Sequence, residues 1–442
     1  MQSNKDKAKL IALISIIFFS VSGGPYGLEE IVTSVGPINT LFLILFLPVI
    51  WTIPETMIIA ELSSTYPIKG GYYKWVQMGL GRFWGFLEGW WSILYTLIDL
   101  SLYPVLFTLY LKHFFPELGQ PYIYFIQLLM IWSSAIVNIL GIRIVGNILS
   151  YFQYFILLFF IIFVVCGIKY LSFDFSHIFS YRQDFTVNNL IFGLSLAFWN
   201  FIGWDNGSTL LHEVDNPKMN YHKALFITIP IVVLFYIFPL LIGLNIHTDW
   251  KSWKFGEFSA IAATMHYPFL AFVLAIGGMV TCLGLFNSLL LSSTRVFSTM
   301  SEDRLLPEKF SKLHSRFKTP YVSICFAAFI FSIMILIDFK NLIVYDVFLY
   351  LIAILLEALA LVSLRKMNSS SHTHFKIPFG NFGLYMAVGM VFLVVVILAI
   401  INIFDSSLAM KDYLFGIFLI LSGVPVYLWH EKFQHLGFPG NK

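Results

Sequence analysis

Residues 16–31 read IIFFSVSGGPYGLEEI, and within them Ser22-Gly23-Gly24-Pro25 interrupts a long apolar run. Proline has no backbone N–H to donate and glycine loosens a helix, so both residue types release the chain from the helical hydrogen-bond ladder. Inside hydrocarbon, irregular backbone is tolerated only where it lines a cavity or packs against protein. We therefore predict a discontinuous first helix whose break faces the interior of the molecule.

A second interruption, GWDNG at residues 203–207, falls in the second half of the sixth apolar span. The two breaks occupy corresponding positions, because one lies in the first of spans one to five and the other in the first of spans six to ten. Broken helices in corresponding halves are typical of an inverted repeat with a binding site near the membrane midplane. Close helix packing, which also uses glycine, is the alternative interpretation of the pair.

Composition and hydropathy place the whole chain in a membrane. Of its 442 residues, 58% are hydrophobic and 12% are charged, whereas soluble domains carry about 25% charged residues. A window of about 19 residues predicts about twelve helical spans. Their approximate bounds are 8–33, 38–62, 83–112, 121–140, 145–169, 188–212, 223–246, 268–299, 320–337, 341–364, 383–404 and 412–430. This composition excludes ordinary soluble enzymes, and a net charge of +3 gives no reason to expect nucleic acid as a partner.

The predicted fold class is an all-α polytopic membrane protein with a single transmembrane domain over residues 1–430. Repeat one covers about 8–169, repeat two about 188–364 and the additional helices about 383–430, followed by a cytoplasmic tail at 431–442. Twelve spans that start inside place about 20 of the 27 Lys and Arg on the cytoplasmic side, in agreement with the positive-inside rule. Both termini are therefore predicted to be cytoplasmic, and the plasma membrane is the expected location.

Acidic side chains are frequent inside the predicted spans. They are Glu29, Glu30, Glu55, Glu88, Asp99, Asp205 and Glu357, with Glu61 and Asp346 nearer the span ends. A charged side chain at the bilayer centre costs at least roughly 2.5 kcal/mol, so each is a functional candidate by default. Because almost no Lys or Arg lies at the same depth, the predicted counter-charge is a proton, an inorganic cation or a cationic substrate.

Several motifs resemble those of the amino acid, polyamine and organocation (APC) superfamily of transporters. They are SGGPYGLEE at residues 22–30, WTIPE at 51–55, FWN at 198–200 and EVDNP at 213–217. Within the superfamily, GFLEGW at residues 85–90 and the position of Asp99 ahead of LYPV at 102–105 resemble the polyamine uptake branch. The resemblance covers nearly the whole chain, from about residue 10 to about residue 430.

This resemblance implies a five-plus-five inverted repeat of the leucine-transporter (LeuT) type, with discontinuous helices 1 and 6 and two further helices at the C-terminal end. It also implies alternating access and secondary active transport, usually coupled to protons in the polyamine branch. No cofactor and no metal site is expected. The histidines are scattered and no nucleophile or nucleotide-binding motif occurs, so we do not expect an enzyme. Paired broken helices favour gated alternating access over an open channel.

The first break bears on the charge of the substrate. In relatives that carry amino acids, amides of this break bind the substrate carboxylate. Here Pro25 has no N–H to donate, although Gly23, Gly24 and Tyr26 keep theirs. A weakened anion site favours a substrate without a carboxylate.

Two carboxylates near the breaks are the main candidates for function. Asp205 follows Trp199 by six positions, a spacing that in many relatives marks an acid for substrate or proton, while a helix cap is the alternative. Trp199 is the expected gate over a bound substrate. Asp99 shares a helical face with Tyr95 and Tyr103, which suits an ammonium group held among aromatic rings. A polar contact between helices is the alternative for Asp99.

Further candidates lie elsewhere on the predicted helices. Glu357 lies on nearly the same face as Tyr350 and matches an acidic position of the polyamine-like branch. Of the two glutamates after the first break, only one can face the cavity, and we expect it to be Glu30. Glu55, Glu61 and Glu88 are expected to be structural, with hydrogen bonds between helices.

Ion coupling has two candidate sites. Asp205 and Glu357 are the expected proton carriers, since residues 148–165 lack the lysine that some proton-coupled relatives place in the fifth helix. Ser288, Ser292 and Ser293 offer a sodium site as the alternative, although serine commonly bonds to the preceding helical turn. Asn287 is neutral where plant-like polyamine sequences tend to carry an acid, which weakens the case for a polycation.

The sequence therefore predicts proton-coupled uptake of polyamines or related small organic cations within a lipid bilayer, with protons favoured over sodium. An amino acid permease or exchanger, for cationic or neutral amino acids, is the alternative. The predicted substrate-binding residues are Ser22, Gly23, Gly24, Tyr26, Glu30, Tyr95, Asp99, Trp199, Trp204, Asp205, Tyr350 and Glu357.

Overall fold

Helices account for the regular structure of the chain. A computed structural model describes residues 7–171, 187–336, 342–367, 373–403 and 410–435. Within these ranges the β-structure is limited to one isolated bridge. The α-helices are α1 (Leu10–Val21), α2 (Leu28–Val35), α3 (Pro37–Leu47), α4 (Ile53–Thr65), α5 (Gly71–Leu80), α6 (Arg82–Phe114), α7 (Gln120–Ile139), α8 (Ile142–Gly167), α9 (Val187–Trp199), α10 (Pro217–Ile246), α11 (Glu257–Thr264), α12 (Pro268–Glu302), α13 (Tyr321–Met334), α14 (Leu342–Met367), α15 (Gly380–Ile403) and α16 (Met410–His435).

Nine helical segments in the described ranges are long and apolar enough to cross a membrane. Two shorter apolar helices, Leu10–Val21 and Tyr321–Met334, accompany them. The first of these is short because its span is interrupted, and it continues as α2 after the break. These observations confirm an all-α integral membrane protein, while the number of twelve spans stays a prediction.

The two interruptions lie where the sequence predicts them, and they contact each other. The helix α1 ends at Val21 and resumes at Leu28, while α9 ends at Trp199 and gives way to a short 3-10 helix. Gly203, in the second break, has a φ of +99°, and a Cβ there would lie 2.2 Å from the carbonyl oxygen of Ser20. Only glycine lets the backbone of the second break approach α1 this closely.

Two long helices frame the breaks. The helix α6 has 33 residues and α12 has 35, so each is about 50 Å long. They pack against each other along their length, and α1 packs against α8, α10 and α12. The breaks are thus enclosed by helices, as irregular backbone inside a membrane requires.

The N-terminal end of α1 is fixed to the end of the second broken span. The N–H of Ala8 donates to the carbonyl of Glu213 at 2.9 Å. The Glu213 carboxylate in turn accepts a hydrogen bond from Nε of Arg295 at 2.9 Å, and Arg295 is only 1% exposed. Arg295, which the charge count assigns to the cytoplasmic side, is therefore a buried residue of α12. Removing one partner of such a buried pair costs about 3–5 kcal/mol.

Two local features differ from the predicted spans. A π-helical turn, Pro48–Thr52, separates α3 from α4 within the second span. Pro48 and Pro54 each lack an N–H for the ladder, which explains why regular α-helical bonding is interrupted here. The helix α16 continues to His435, past the start of the tail predicted at 431–442, and residues 436–442 lie outside the described residues.

Candidate functional site

The backbone amides of the first break are bonded within the break and its flanks. The N–H of Gly24 donates to Oγ of Ser22 at 3.0 Å, and the N–H of Gly27 donates to Oε2 of Glu29 at 2.7 Å. The N–H of Gly23 bonds to a carbonyl in the last turn of α1 at 3.2 Å. Two of the three amides expected to serve an anionic group, those of Gly23 and Gly24, are therefore already satisfied, and so is the amide of Gly27.

Two cavities adjoin the breaks. The aromatic cavity, of about 460 Å³, is lined by the rings of Tyr26, Tyr110 and Phe255 together with Cys282 and Leu285. The acidic cavity, of about 300 Å³, is lined by Asp99 and Asp346 together with Tyr95, Asn206 and Tyr350. Among the described residues, no Lys or Arg lines either cavity.

A pair of stacked rings separates the two cavities. Tyr103 and Trp199 line both of them, with ring centroids 6.3 Å apart and planes 18° from parallel. The hydroxyl of Tyr103 donates to Oδ1 of Asp99 at 2.7 Å, and Nε1 of Trp199 donates to the same oxygen at 3.0 Å. Asp99 therefore holds both rings in place, and a change in its hydrogen bonds would release them.

A second group of acids lies deeper and lines neither cavity. This acidic cluster consists of Glu55, Glu88, Asp205 and Glu357, each at most 1% exposed. Glu55 comes from α4, Glu88 from α6, Asp205 from the second break and Glu357 from α14. The groups interact electrostatically with one another, and no described basic side chain is bonded to any of them.

Tyr350 connects the acidic cluster to the acidic cavity. Its ring lines the cavity and lies 5.4 Å from the ring of Tyr95. Its hydroxyl oxygen lies 2.5 Å from Oε1 of Glu55 and 2.6 Å from Oδ1 of Asp205. A phenol has one proton to donate, so it can serve only one of these two oxygens. The other contact becomes a hydrogen bond only when Glu55 or Asp205 carries a proton.

The structure brings most of the predicted site residues to the two cavities or to the acidic cluster. Ser22 and Tyr26 line the aromatic cavity, Tyr95, Asp99 and Tyr350 line the acidic cavity, Trp199 lines both, and Asp205 and Glu357 belong to the acidic cluster.

Four predicted residues line neither cavity and do not belong to the acidic cluster. Gly23 and Gly24 shape the break, and Trp204 is fully buried with Nε1 donating to Phe201 O at 2.9 Å. Glu30, the other residue of the four, is only half-buried. Its neighbour Glu29, which the sequence analysis did not select, is fully buried and accepts the hydrogen bond from the N–H of Gly27.

Three acids near the site are not among the predicted substrate-binding residues. Glu55 and Glu88 were expected to be structural, with hydrogen bonds between helices, and Glu55 does lie 2.5 Å from the hydroxyl of Tyr350 on α14. Asp346 was named only as an acid near the end of a span. A usable signal existed for Asp346, because it precedes Tyr350 by four positions and so shares its helical face. No comparable signal existed for Glu55, whose contact with Tyr350 joins residues 295 positions apart.

Asn287 lies between helices and away from both cavities. Its Nδ2 donates to Oγ of Ser134 at 3.0 Å, and its Oδ1 accepts from Nδ2 of Asn138 at 3.1 Å. The residue thus ties α12 to α7, so its lack of charge does not bear on the charge of a substrate in the cavities.

The serines of α12 bond to backbone carbonyls. The hydroxyl of Ser288 donates to Ile16 O in α1 at 2.7 Å, and Ser292 and Ser293 donate to the preceding turn of α12. Within the part of the chain that the structure describes, no group of three His, Cys, Asp or Glu residues is arranged to hold a metal ion.

The sequence matches known transporters along most of its length. The family model described as "Amino acid permease" matches residues 11–424. The chain is 33% identical to the polyamine transporter RMV1 of Arabidopsis thaliana, over 93% of this chain and 84% of that protein. It is 32% identical to the polyamine transporter PUT1 of Oryza sativa subsp. japonica, over 100% of this chain and 82% of that protein.

The fold also matches a solved transporter structure. MhsT in complex with L-phenylalanine aligns with a TM-score of 0.68 at 11% sequence identity, covering 89% of this chain and 98% of that one. This confirms the LeuT-type fold, while the details of the internal repeat stay a prediction. With the family match over nearly the whole chain, the prediction of a transporter and not an enzyme is confirmed. The chain belongs to the amino acid permease family of membrane transporters.

Proposed function

We propose that this protein is a proton-coupled secondary transporter that takes up polyamines or related small organic cations by alternating access. The observation that carries the proposal is the acidic cavity, where Asp99 and Asp346 face open space and no described Lys or Arg lines the wall. The names of RMV1 and PUT1, which are polyamine transporters, support the same substrate class.

The charge of the site favours a cation over a zwitterion. An amino acid would bring a carboxylate into a cavity that already holds two acids, and like charges at close range are unfavourable. The first break offers little compensation, because the amides of Gly23, Gly24 and Gly27 are bonded internally. An ammonium group instead gains charge-assisted hydrogen bonds and contacts with aromatic faces such as that of Trp199.

The acidic cluster supports protons as the coupling ion. Buried carboxylates without a positive partner are costly unless they are protonated, and the single proton of Tyr350 serves only one of its two short contacts. Asp205 and Glu357 are the proposed proton carriers, with Glu55 as their partner across Tyr350. Proton release from this cluster would change the hydrogen bonds of a ring that forms part of the cavity wall.

Sodium has weaker support at the serines of α12. The Ser288 hydroxyl donates to Ile16 O of α1 at 2.7 Å and so bonds to this carbonyl directly. The hydroxyls of Ser20 and Ser288 also bond to each other at 2.9 Å. Hydroxyl groups thus take the role that a cation would have between these two helices.

The remaining predicted residues have places in the same scheme. The ring pair Tyr103 and Trp199 gates passage between the aromatic and acidic cavities, with Asp99 as the group that senses an arriving ammonium. Ser22 and Tyr26 contact the substrate on its way in. The proposed location is the plasma membrane with both termini in the cytoplasm.

An amino acid permease or exchanger is the second candidate, because the family model that matches residues 11–424 is described by that name. Purified protein in liposomes separates the two functions. Uptake of labelled putrescine, spermidine, arginine and a neutral amino acid is measured with and without an inward proton gradient. We expect gradient-stimulated uptake of the two polyamines. Strong amino acid uptake that polyamines fail to inhibit would overturn the proposal.

A further inference from the structure

Asp346 is an acid of the acidic cavity for which the described part of the chain supplies no hydrogen-bond donor. It lies on α14, whereas Asp99 lies on α6, and both line the cavity of about 300 Å³. Asp99 accepts hydrogen bonds from Tyr103 and Trp199. Neither carboxylate oxygen of Asp346 makes a hydrogen bond within the described residues, although the side chain is only 1% exposed.

A buried, unpartnered carboxylate is unfavourable unless a ligand or a proton supplies what is missing. Burying a polar group without a hydrogen bond costs roughly 2–7 kcal/mol, and an unpaired charge costs more. The hydroxyl of Tyr95, which is 4% exposed, lines the same cavity and offers a further oxygen that can accept a hydrogen bond. A single ligand that carries several donors can therefore reach Asp346 and this oxygen together.

We propose that Asp346 and Asp99 form a two-carboxylate site for a diammonium substrate, in which Asp99 binds the first ammonium group and Asp346 binds the second. This inference rests on the proposed function and adds a residue and a substrate class to it. The second ammonium brings up to three N–H donors, enough for Asp346 and for the hydroxyl oxygen of Tyr95. In this site an unbranched diamine places its methylene chain against the aromatic rings that line the cavity.

The two carboxylates have separable effects in this scheme. A monoamine has only one ammonium group and uses Asp99, which is held beside the gating rings. A diamine uses both acids. Loss of Asp346 therefore affects diamines selectively, whereas loss of Asp99 affects both classes of ligand.

The test is a competition experiment with 1,4-diaminobutane and 1-aminobutane. Binding to purified wild-type protein, Asp346→Asn, Asp99→Asn and the exposed control Glu117→Gln is measured by thermal shift and by calorimetry. We expect Asp346→Asn to weaken diamine binding about 10–100-fold, the cost of one charged hydrogen-bonded pair, and to leave monoamine binding within about threefold. Asp99→Asn should weaken both ligands, and Glu117→Gln neither.

Three outcomes distinguish this inference from the proposed function. If wild-type protein binds neither amine, the proposed function fails and the inference fails with it. If wild-type protein binds amines and Asp346→Asn leaves diamine binding unchanged, or weakens both ligands equally, the inference alone is overturned. Asp346→Glu keeps the charge if the Asn variant does not fold. It should shift the preferred chain length toward a shorter diamine, and an unchanged length preference would overturn the inference.

Discussion

The acidic cavity and the acidic cluster contain the same type of side chain in different surroundings. In the acidic cavity, Asp99 and Asp346 face space that a small molecule can fill, beside aromatic rings. In the acidic cluster, Glu55 and Asp205 are packed around the hydroxyl of Tyr350 and line no cavity. Because both groups of acids are buried in the membrane, depth alone does not assign a role to an acid. Open space favours binding of an organic cation, and close packing of acids favours protons.

The largest effect is expected from Asp205→Asn. The amide keeps the size of the side chain but cannot release a proton, so gradient-driven accumulation of labelled putrescine in liposomes should fall by about 100-fold or more. Exchange of internal for external putrescine, which needs no net proton movement, should persist. Wild-type accumulation in this variant would remove Asp205 from the coupling role, and Glu117→Gln serves as the matched acid-to-amide control at an exposed site.

Tyr350→Phe distinguishes the role of the Tyr350 ring in the acidic cavity from the role of its hydroxyl in the acidic cluster. The ring continues to line the acidic cavity, while the link between Glu55 and Asp205 is lost. We expect gradient-driven uptake to fall about tenfold and putrescine affinity to change by less than about threefold. Saturation kinetics of uptake measure both quantities. A large loss of affinity with normal maximal rate would instead assign the hydroxyl to substrate binding.

Trp199→Phe tests the gate between the two cavities. Phenylalanine retains a flat ring but lacks the Nε1 donor that bonds to Asp99 at 3.0 Å. Loss of one hydrogen bond to a charged group should raise the KM for putrescine about 3- to 10-fold. Tyr103→Phe removes the other donor to the same oxygen and should behave alike. If neither variant changes KM, Asp99 does not hold the gate through these bonds.

The smallest effect is expected from removing sodium, the coupling ion that the structure supports least. Replacing external sodium with potassium, with the membrane potential clamped, should leave putrescine uptake within about twofold, because Ser288 already bonds directly to Ile16 O. Ser288→Ala should likewise leave the ion dependence of uptake unchanged. Uptake that requires sodium would show that neither the acidic cavity nor the acidic cluster accounts for coupling.

Local patterns in the sequence were sufficient for the fold and for part of the site. Glycine and proline in residues 22–25 predict the first break because their effect on the backbone is local. The spacing of four residues between Asp99 and Tyr103 places them on one helical face, and the structure has them hydrogen-bonded. Properties that depend on helical periodicity or on a single residue type were therefore accessible without coordinates.

Contacts between distant segments were not accessible in the same way. The bond between Glu55 and Tyr350 depends on how α4 packs against α14, which no pattern within either helix reveals. The same holds for Asn287, whose partners Ser134 and Asn138 lie on another helix. These bonds hold Asn287 between α12 and α7, away from the two cavities. Asp346 is an intermediate case. The sequence shows that it shares a helical face with Tyr350, but it does not show that this face lines a cavity.

Proton movement driven by substrate is the most direct test of whether the acidic cluster couples transport to protons. Liposomes containing the protein and a trapped pH-sensitive dye, with the membrane potential clamped, receive 1,4-diaminobutane on the outside. We expect acidification of the interior with wild-type protein and none with Asp205→Asn, although that variant still binds the diamine. Diamine accumulation by wild-type protein without any acidification, or equal acidification with Asp205→Asn, would contradict the assignment of protons to the acidic cluster.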